Sequence, residues 1–312
     1  MSIATEISRI QQAKADIKTA IEAKGVTVPS SAKIDTYDDY VSQISGGGGT
    51  SYETELKGII DRSISGSLTI PSGITAIGSS AFQSCNRLTS VTIPSYVTAI
   101  GDNAFEYCSN LKNITIGSGV TSIGQYAFSH IGSTVSFNIS SIDLSNVSPS
   151  SNFHHIFYFS AIYGNITIPN SLLSGSTSGT TSTCFNLFQG AYCNVNKSLT
   201  INIYADNRII PRNMCQFNNG TTFNQGNINI IVHGTPTFLS RQSFRVISGN
   251  GVAAQSVTFA DCTTPPNAES YGSSSTSPFY QLTGTIYVPS SGLDAWKARY
   301  TGVASQIKAI GT

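Results

Sequence analysis

The sequence predicts a solenoid of short parallel strands, turns and short helical pieces, preceded by a small α-helical N-terminal module. Three apolar columns recur at a step of 23: Ile70, Ile93 and Ile116; Ile77, Ile100 and Ile123; Phe82, Phe105 and Phe128. Val91, Ile114 and Phe137 extend the same step into a fourth unit. Paired apolar positions of a strand then persist at Phe137/Ile139, Ile166/Ile168, Leu199/Ile201, Ile228/Ile230, Val257/Phe259 and Ile286/Val288, with steps of 29, 33, 29, 29 and 29. A third observation, isoleucines at helical spacing before residue 25, predicts the separate module.

Taking the elements in order, Ile3, Ile7, Ile10, Lys14, Ile17, Ile21 and Lys24 are spaced alternately by four and three, a heptad seam with a lysine at one central position. Gly25 ends that helix and Pro29 prevents its resumption. A second short helix starts near Asp35, with Tyr37, Tyr40, Val41 and Ile44 on one face, which closes a module over residues 1–45. Four glycines then make residues 46–50 a flexible linker. Two readings of the seam stay open. In one, a hairpin packs it on Tyr37, Tyr40 and Val41. In the other, Ile3, Ile7, Ile10, Ile17 and Ile21 form an assembly interface completed by another copy or a docking protein, as the small size of the module favours.

Residues 51–66 carry Leu56, Ile59, Ile60 and Ile64 at helical spacing, an N-terminal cap over the first coil. Residues 67–289 are the solenoid. Each strand alternates apolar and polar, so both apolar side chains turn inward; Pro71, Pro94, Pro169 and Pro289 end strands because proline offers no ladder N–H. One coil cannot cover its own apolar face, whereas coils stacked at about 4.8 Å do so through a parallel ladder. In residues 290–312, Leu293, Trp296 and Tyr300 fall at i, i+3 and i+7 and make a C-terminal cap, with the single Trp as its anchor.

Charged residues are 11% of the 312, with a formal net charge of +1, so no basic cluster tracks phosphates and nucleic acid is not an expected partner. The N-terminus breaks its apolar residues with charges, so neither a signal-peptide core nor a membrane-inserting span is expected. The expectation is therefore a protein that stays in the cell that makes it or leaves by a route such as lysis. Six widely spaced cysteines do not make a disulfide scaffold.

The segment IPSYVTAIGDNAFEYCSNLKNITI resembles the BspA-type leucine-rich repeat: strand, Pro, a Val-Thr-x-Ile-Gly turn, Ala-Phe, Cys, Leu and the next strand. That resemblance implies a curved solenoid used for adhesion or recognition. Residues 1–45 resemble a segment that precedes variable display domains in virion proteins of gut phages, which implies a particle component that docks on other virion proteins through its N-terminal helices, possible homo-oligomerisation, and location on the virion. The expected function is a tail, fibre or capsid-surface protein attaching to a host surface glycan or protein; a bacterial cell-surface adhesin is the alternative, and a polysaccharide depolymerase a further one.

Catalytic chemistry is sought without success. Cys85 and Cys108 share a column continued by Ile131 and read as buried thiols. Cys184 and Cys193 lack a histidine at ligand spacing, so no metal or cofactor is expected. His154 and His155 read as partly packed surface histidines, and the acids Asp102, Glu106, Asp143, Asp206, Asp261 and Glu269 show no recurring pair. The later coils carry Ser-, Gly-, Asn- and Tyr-rich insertions suited to recognition. From these the candidate ligand surface is Tyr192, Tyr271 and a cationic rung of Arg212 and Arg241, which are 29 apart.

Overall fold

The structure is a computed structural model describing residues 15–19, 21–22, 64–71, 74–133, 135–148, 153–173, 186–194, 196–217, 226–245, 255–268, 270, 277–282 and 284–312. The chain divides into two compact units. The first comprises residues 1–64 and 71–74. Within it, residues 15–19 and 21–22 are helical, with a Lys18–Glu22 ion pair at 3.6 Å and the Thr19 hydroxyl donating to the Ala15 carbonyl at 2.9 Å. The expected second helix at 35–44 and the cap residues Leu56, Ile59 and Ile60 lie outside the described residues.

The second unit, residues 65–70 and 75–312, is the solenoid. Its long sheet runs through ten strands in parallel: β1 (Gly66–Thr69), β3 (Leu88–Ile93), β5 (Asn113–Ile116), β7 (Phe137–Asn138), β8 (Ile162–Ile168), β9 (Ser198–Tyr204), β11 (Asn227–His233), β13 (Gln255–Phe259), β15 (Thr285–Val288) and β16 (Ile307–Ala309). Two-residue strands β2 (Ala76–Ile77), β4 (Ala99–Ile100) and β6 (Ser122–Ile123) form a second ladder, and β10 (Ile209–Ile210), β12 (Phe238–Leu239) and β14 (Asn267–Ala268) a third. All nine expected strand positions occupy the long sheet. The tenth rung, β16, arises where a cap alone is expected: Ile307 pairs with Ile286.

The register departs from the sequence expectation at four junctions. Val91 pairs with Ile114, Leu199 with Ile228, and Val257 with Ile286, at the expected steps. However, Asn113 pairs with Asn138 and Phe137 with Ile162, both steps of 25 where 23 and 29 are expected. Ile166 pairs with Ile201, a step of 35 in place of 33, and Ile230 with Val257, a step of 27 in place of 29. Every discrepancy is an even number. Alternation of period two decides which face a side chain takes, and a slip of two residues leaves that face unchanged, so the pattern alone cannot separate such registers. The longer strands carry a third inward residue that makes the choice ambiguous, as in Ile228, Ile230 and Val232, all buried.

Inside the coils runs a phenylalanine stack. Phe82, Phe105, Phe128, Phe157 and Phe188 are buried, with successive ring centroids 5.1, 5.6, 6.0 and 5.4 Å apart and nearly parallel planes. In the next coil Cys215 occupies the backbone position of the phenylalanine, and Phe217 turns in to continue the stack on Phe188 at 5.7 Å. Burial raises the Cys215 thiol far above its ordinary range, and raises Cys108, whose Sγ donates to the Phe82 carbonyl, to about 12 with the neighbouring Cys85 adding to the shift. The described cysteines Cys85, Cys108, Cys193, Cys215 and Cys262 are all buried free thiols; Cys184 lies outside them.

At the far end, helix α1 (Leu293–Arg299) and a 3-10 turn (Thr301–Gln306) lead into β16. Trp296 is fully buried, and its indole N–H donates to the Cys262 carbonyl at 2.9 Å. Tyr300 is buried too and donates to the Pro266 carbonyl at 2.9 Å. Both anchors therefore replace hydrogen bonds to water with bonds to the coil beneath them.

Candidate functional site

Each regular coil turns its corner through two left-handed residues four apart, flanking the Ala-Phe step. The first column is Ser80, Asn103, Tyr126, His155, Asn186, Asn213 and Gln242, with φ between 53° and 59°. The second is Ser84, Tyr107, His130, Phe159 and Gly190, with φ between 49° and 74°. Backbone bonds tie the second column together from coil to coil: Ser84 N–H to Glu106 O at 2.7 Å, Tyr107 to Ser129 at 3.0 Å, His130 to Tyr158 at 2.8 Å and Phe159 to Gln189 at 3.1 Å.

Glycine takes this conformation freely, and asparagine more readily than other side chains; for the rest it costs roughly 1–2 kcal/mol. Gly and Asn fill part of these columns, while Ser80, Ser84 and Gln242 carry the same cost as larger side chains. Three successive coils differ in that five of their six left-handed positions hold rings, Tyr107, Tyr126, His130, His155 and Phe159. Left-handed side chains gathered in this way motivate a functional hypothesis.

The five rings assemble. Tyr107 stacks on His130 at 4.5 Å and His130 on Phe159 at 5.7 Å, while Tyr126 stacks on His155 at 5.0 Å. Tyr158 stands edge-on to Tyr126, His130, His155 and Phe159 and joins the two rows. Phe159 lies over Gly190, where an added Cβ would come within 2.8 Å of its ring, so this end of the row is closed. Tyr107 is 48% exposed and Phe159 38%, so the assembly is a surface and not part of the core.

Polar groups frame it. Gln83 Nε2 donates to Glu106 Oε2 at 2.7 Å, His155 Nε2 meets Gln189 Oε1 at 2.8 Å, and Ser129 Oγ meets His130 Nδ1 at 2.7 Å. His154 and His155 face each other through their Nδ1 atoms at 2.7 Å, so one donates and the other accepts. Burial lowers His130, His154 and His155 below the ordinary histidine range; Glu106 opposes this at His130, Asp102 at His154 and the Gln189 hydrogen bond at His155. At neutral pH the corner therefore carries neutral imidazoles beside two carboxylates.

The residues singled out from sequence fall as follows. Arg212 and Arg241 occupy equivalent positions of adjacent coils, as the Asn213 N–H to Arg241 carbonyl bond at 3.4 Å shows; Arg212 is exposed and Arg241 half-buried. They precede Asn213 and Gln242 as His154 precedes His155 and Asp102 precedes Asn103, so they share an edge with the aromatic corner further along the array. Tyr192 is half-buried and serves the backbone ladder, receiving the Ile162 N–H at 2.9 Å; Tyr271 lies outside the described residues. Of the seam, Ile21 is fully covered by the chain itself and Ile17 half-buried, while Ile3, Ile7 and Ile10 lie outside. Among the described residues no group of three or more metal-ligating side chains converges and no helix is long and apolar enough to cross a membrane. The aromatic corner was missed as a unit. Its signal was the same column arithmetic, since Ser84, Tyr107 and His130 are 23 apart and His130 and Phe159 are 29 apart.

Residues 63–177 match the BspA type Leucine rich repeat region in six copies. The BspA-type repeats thus contain the whole aromatic corner. The match starts beyond residues 1–45, and the expected likeness of that segment to virion proteins finds no support in these comparisons. Among solved structures, a leucine rich cell surface protein from Faecalibacterium prausnitzii A2-165 is similar at 18% identity, covering 79% of this chain and 88% of that one, with a TM-score of 0.23. No curated protein matches the chain.

Proposed function

We propose that this is a surface-recognition protein whose solenoid presents the Tyr107–Tyr126–His130–His155–Tyr158–Phe159 corner to a host-cell surface, with no catalytic step. The observation that carries this reading is the run of five aromatic residues at left-handed positions, clustered at one corner with Tyr107 and Phe159 exposed and the other three half-buried. BspA-type repeats support adhesion or recognition as the broad function. The test is adhesion of the labelled full chain to bacterial and to epithelial cells. Tyr107→Ser and Phe159→Gly restore residues that neighbouring coils use, so they keep the fold; undiminished adhesion in both overturns the role of the corner.

The finer reading is a virion component, a tail, fibre or capsid-surface protein fastened to other virion proteins by residues 1–45, and it rests on the sequence expectation for that segment alone. A bacterial cell-surface adhesin accounts equally for the repeats. Antibodies raised against residues 64–312 separate them: labelling of sedimented phage particles agrees with the first, and labelling of the bacterial envelope instead replaces it with the second. Self-assembly through Ile3, Ile7, Ile10 and Ile17 belongs to the same proposal. Light scattering of the full chain against residues 51–312 is expected to give an oligomer and a monomer; two monomers remove self-association.

A further inference from the structure

The Tyr107 end of the aromatic row differs from the Phe159 end. The Phe159 ring packs directly on the Gly190 backbone, whereas the residue of the preceding coil in register with Tyr107 is Ser84, which brings no ring to stack on it. Among the described residues the one ring stacked on Tyr107 is His130, so its other face stands open, and Tyr107 is the most exposed large apolar side chain described, at 48%. A polar row runs alongside, one residue earlier in each coil: Gln83, Glu106, Ser129, Tyr158 and Gln189. Gln83 and Glu106 immediately precede Ser84 and Tyr107, the two residues in register at this end of the row, and hold each other through Nε2 and Oε2 at 2.7 Å. That bond leaves the Gln83 Oε1 and the second Glu106 carboxylate oxygen directed to other partners.

We infer that the open face of Tyr107 is a subsite for a neutral pyranose ring, whose hydroxyls are held by the Gln83–Glu106 pair; this rests on the recognition reading above and names its ligand. A pyranose presents C–H bonds on its face and hydroxyls around its rim. The C–H face, slightly positive, packs on the negative face of an aromatic ring, and the rim hydroxyls donate to amide and carboxylate oxygens lying beside that ring. An open aromatic face with a fixed amide–carboxylate pair at its edge meets both requirements, and few convergent polar groups on an apolar floor are the usual make-up of a small-ligand site. Charge selects among sugars. Neither row contains a lysine or arginine, and Glu106 is an acid, so an anionic sugar meets repulsion without a counter-charge. The pre-formed Gln83–Glu106 bond also removes part of the ordering cost on binding.

The test places the full chain on an array of neutral and acidic glycans, alongside Tyr107→Ser, Glu106→Gln and, as a control on the exposed face of the C-terminal helix, Lys297→Ala. Expected are neutral glycans bound in preference to sialylated or sulfated ones, a loss of about tenfold in Tyr107→Ser, equivalent to about 1.4 kcal/mol, and no change in Lys297→Ala. Glu106→Gln is expected to weaken neutral glycans and relax the discrimination against acidic ones, which a purely structural role for Glu106 would not do. Binding restricted to acidic glycans, or no glycan bound at all, overturns the sugar assignment. Periodate treatment of the target cells isolates that failure. Adhesion that depends on Tyr107 but survives periodate means a protein ligand and leaves the recognition reading standing; adhesion indifferent to Tyr107 but lowered in Phe159→Gly removes the Tyr107 subsite alone, and adhesion indifferent to both variants removes both.

Discussion

At the scale of single residues, the aromatic corner sets two opposing quantities against each other. Tyr107 in a left-handed conformation costs roughly 1–2 kcal/mol, and stacking on His130 returns about 0.5–1.5 kcal/mol. The two nearly cancel. Tyr107→Asn, which places at this position a residue that tolerates the conformation, is therefore expected to shift Tm by less than about 4 °C while removing surface binding; a large fall in Tm would mean the ring is structural. The histidines give a second prediction. Burial holds His130, His154 and His155 neutral in the folded protein, so their folded values lie below the unfolded one of 6.5. Above that value both states are neutral and stability does not change through these groups. Below it the unfolded chain takes up protons first, and stability declines as pH drops until the folded values are passed. Full protonation also breaks the His154–His155 contact, since two imidazolium rings have no acceptor nitrogen left to share. Thermal unfolding from pH 8 to pH 5 should be flat above about 6.5 and fall below it, and less steeply in His155→Asn. Equal slopes would assign the decline to other groups.

At the scale of elements, the coil is readable from sequence because each of its parts has a chemical reason to recur. Strand alternation, the strand-ending prolines and the Ala-Phe step announce themselves at a fixed period, and they predict the ladder from Leu68 to Val288 that the structure contains. What they leave open is register, because Ile228, Ile230 and Val232 each fit the inward position and only the loop geometry chooses between slips of two. The corner lies in the same columns but carries no repeated letter, since a tyrosine, a histidine and a phenylalanine do not look alike in sequence; they are alike in being rings held at positive φ, which only the folded backbone reveals. The phenylalanine stack carries the element-scale prediction. Phe128 is fully buried between Phe105 and Phe157, at 5.6 and 6.0 Å, so Phe128→Ala opens a cavity that neighbouring rigid coils cannot close. The expected loss is about 3–5 kcal/mol, read as a shift in urea midpoint. Phe82→Ala, at the first ring of the described stack, should cost less, and an equal cost at both sites would count against coil-to-coil stacking as the source of stability.

At the scale of the whole molecule, a stack in which each coil touches chiefly its neighbours has stability that is local along the array, so where a coil is lost matters as much as how much is lost. The C-terminal end makes this testable. Trp296 packs 4.5 Å from Phe259 and donates its indole proton to Cys262, and Tyr300 packs against Phe279 and donates to Pro266; one short segment thus holds the coil that begins at β13 at four of its residues. Trp296→Ala removes the ring and leaves the Cys262 carbonyl without its donor, for a cost of about 3–5 kcal/mol from the ring alone and roughly 1–3 more for the buried acceptor. That loss falls on β13, β15 and β16 first. Hydrogen exchange measured by mass spectrometry is expected to speed up in residues 255–309 while residues 88–133 and 153–168, which include the aromatic corner, stay protected. Glycan or cell binding should then survive in Trp296→Ala under conditions where its C-terminal coils have opened. Uniform acceleration along the chain would mean that the array unfolds as one cooperative body, and the corner could then not be separated from its distant cap.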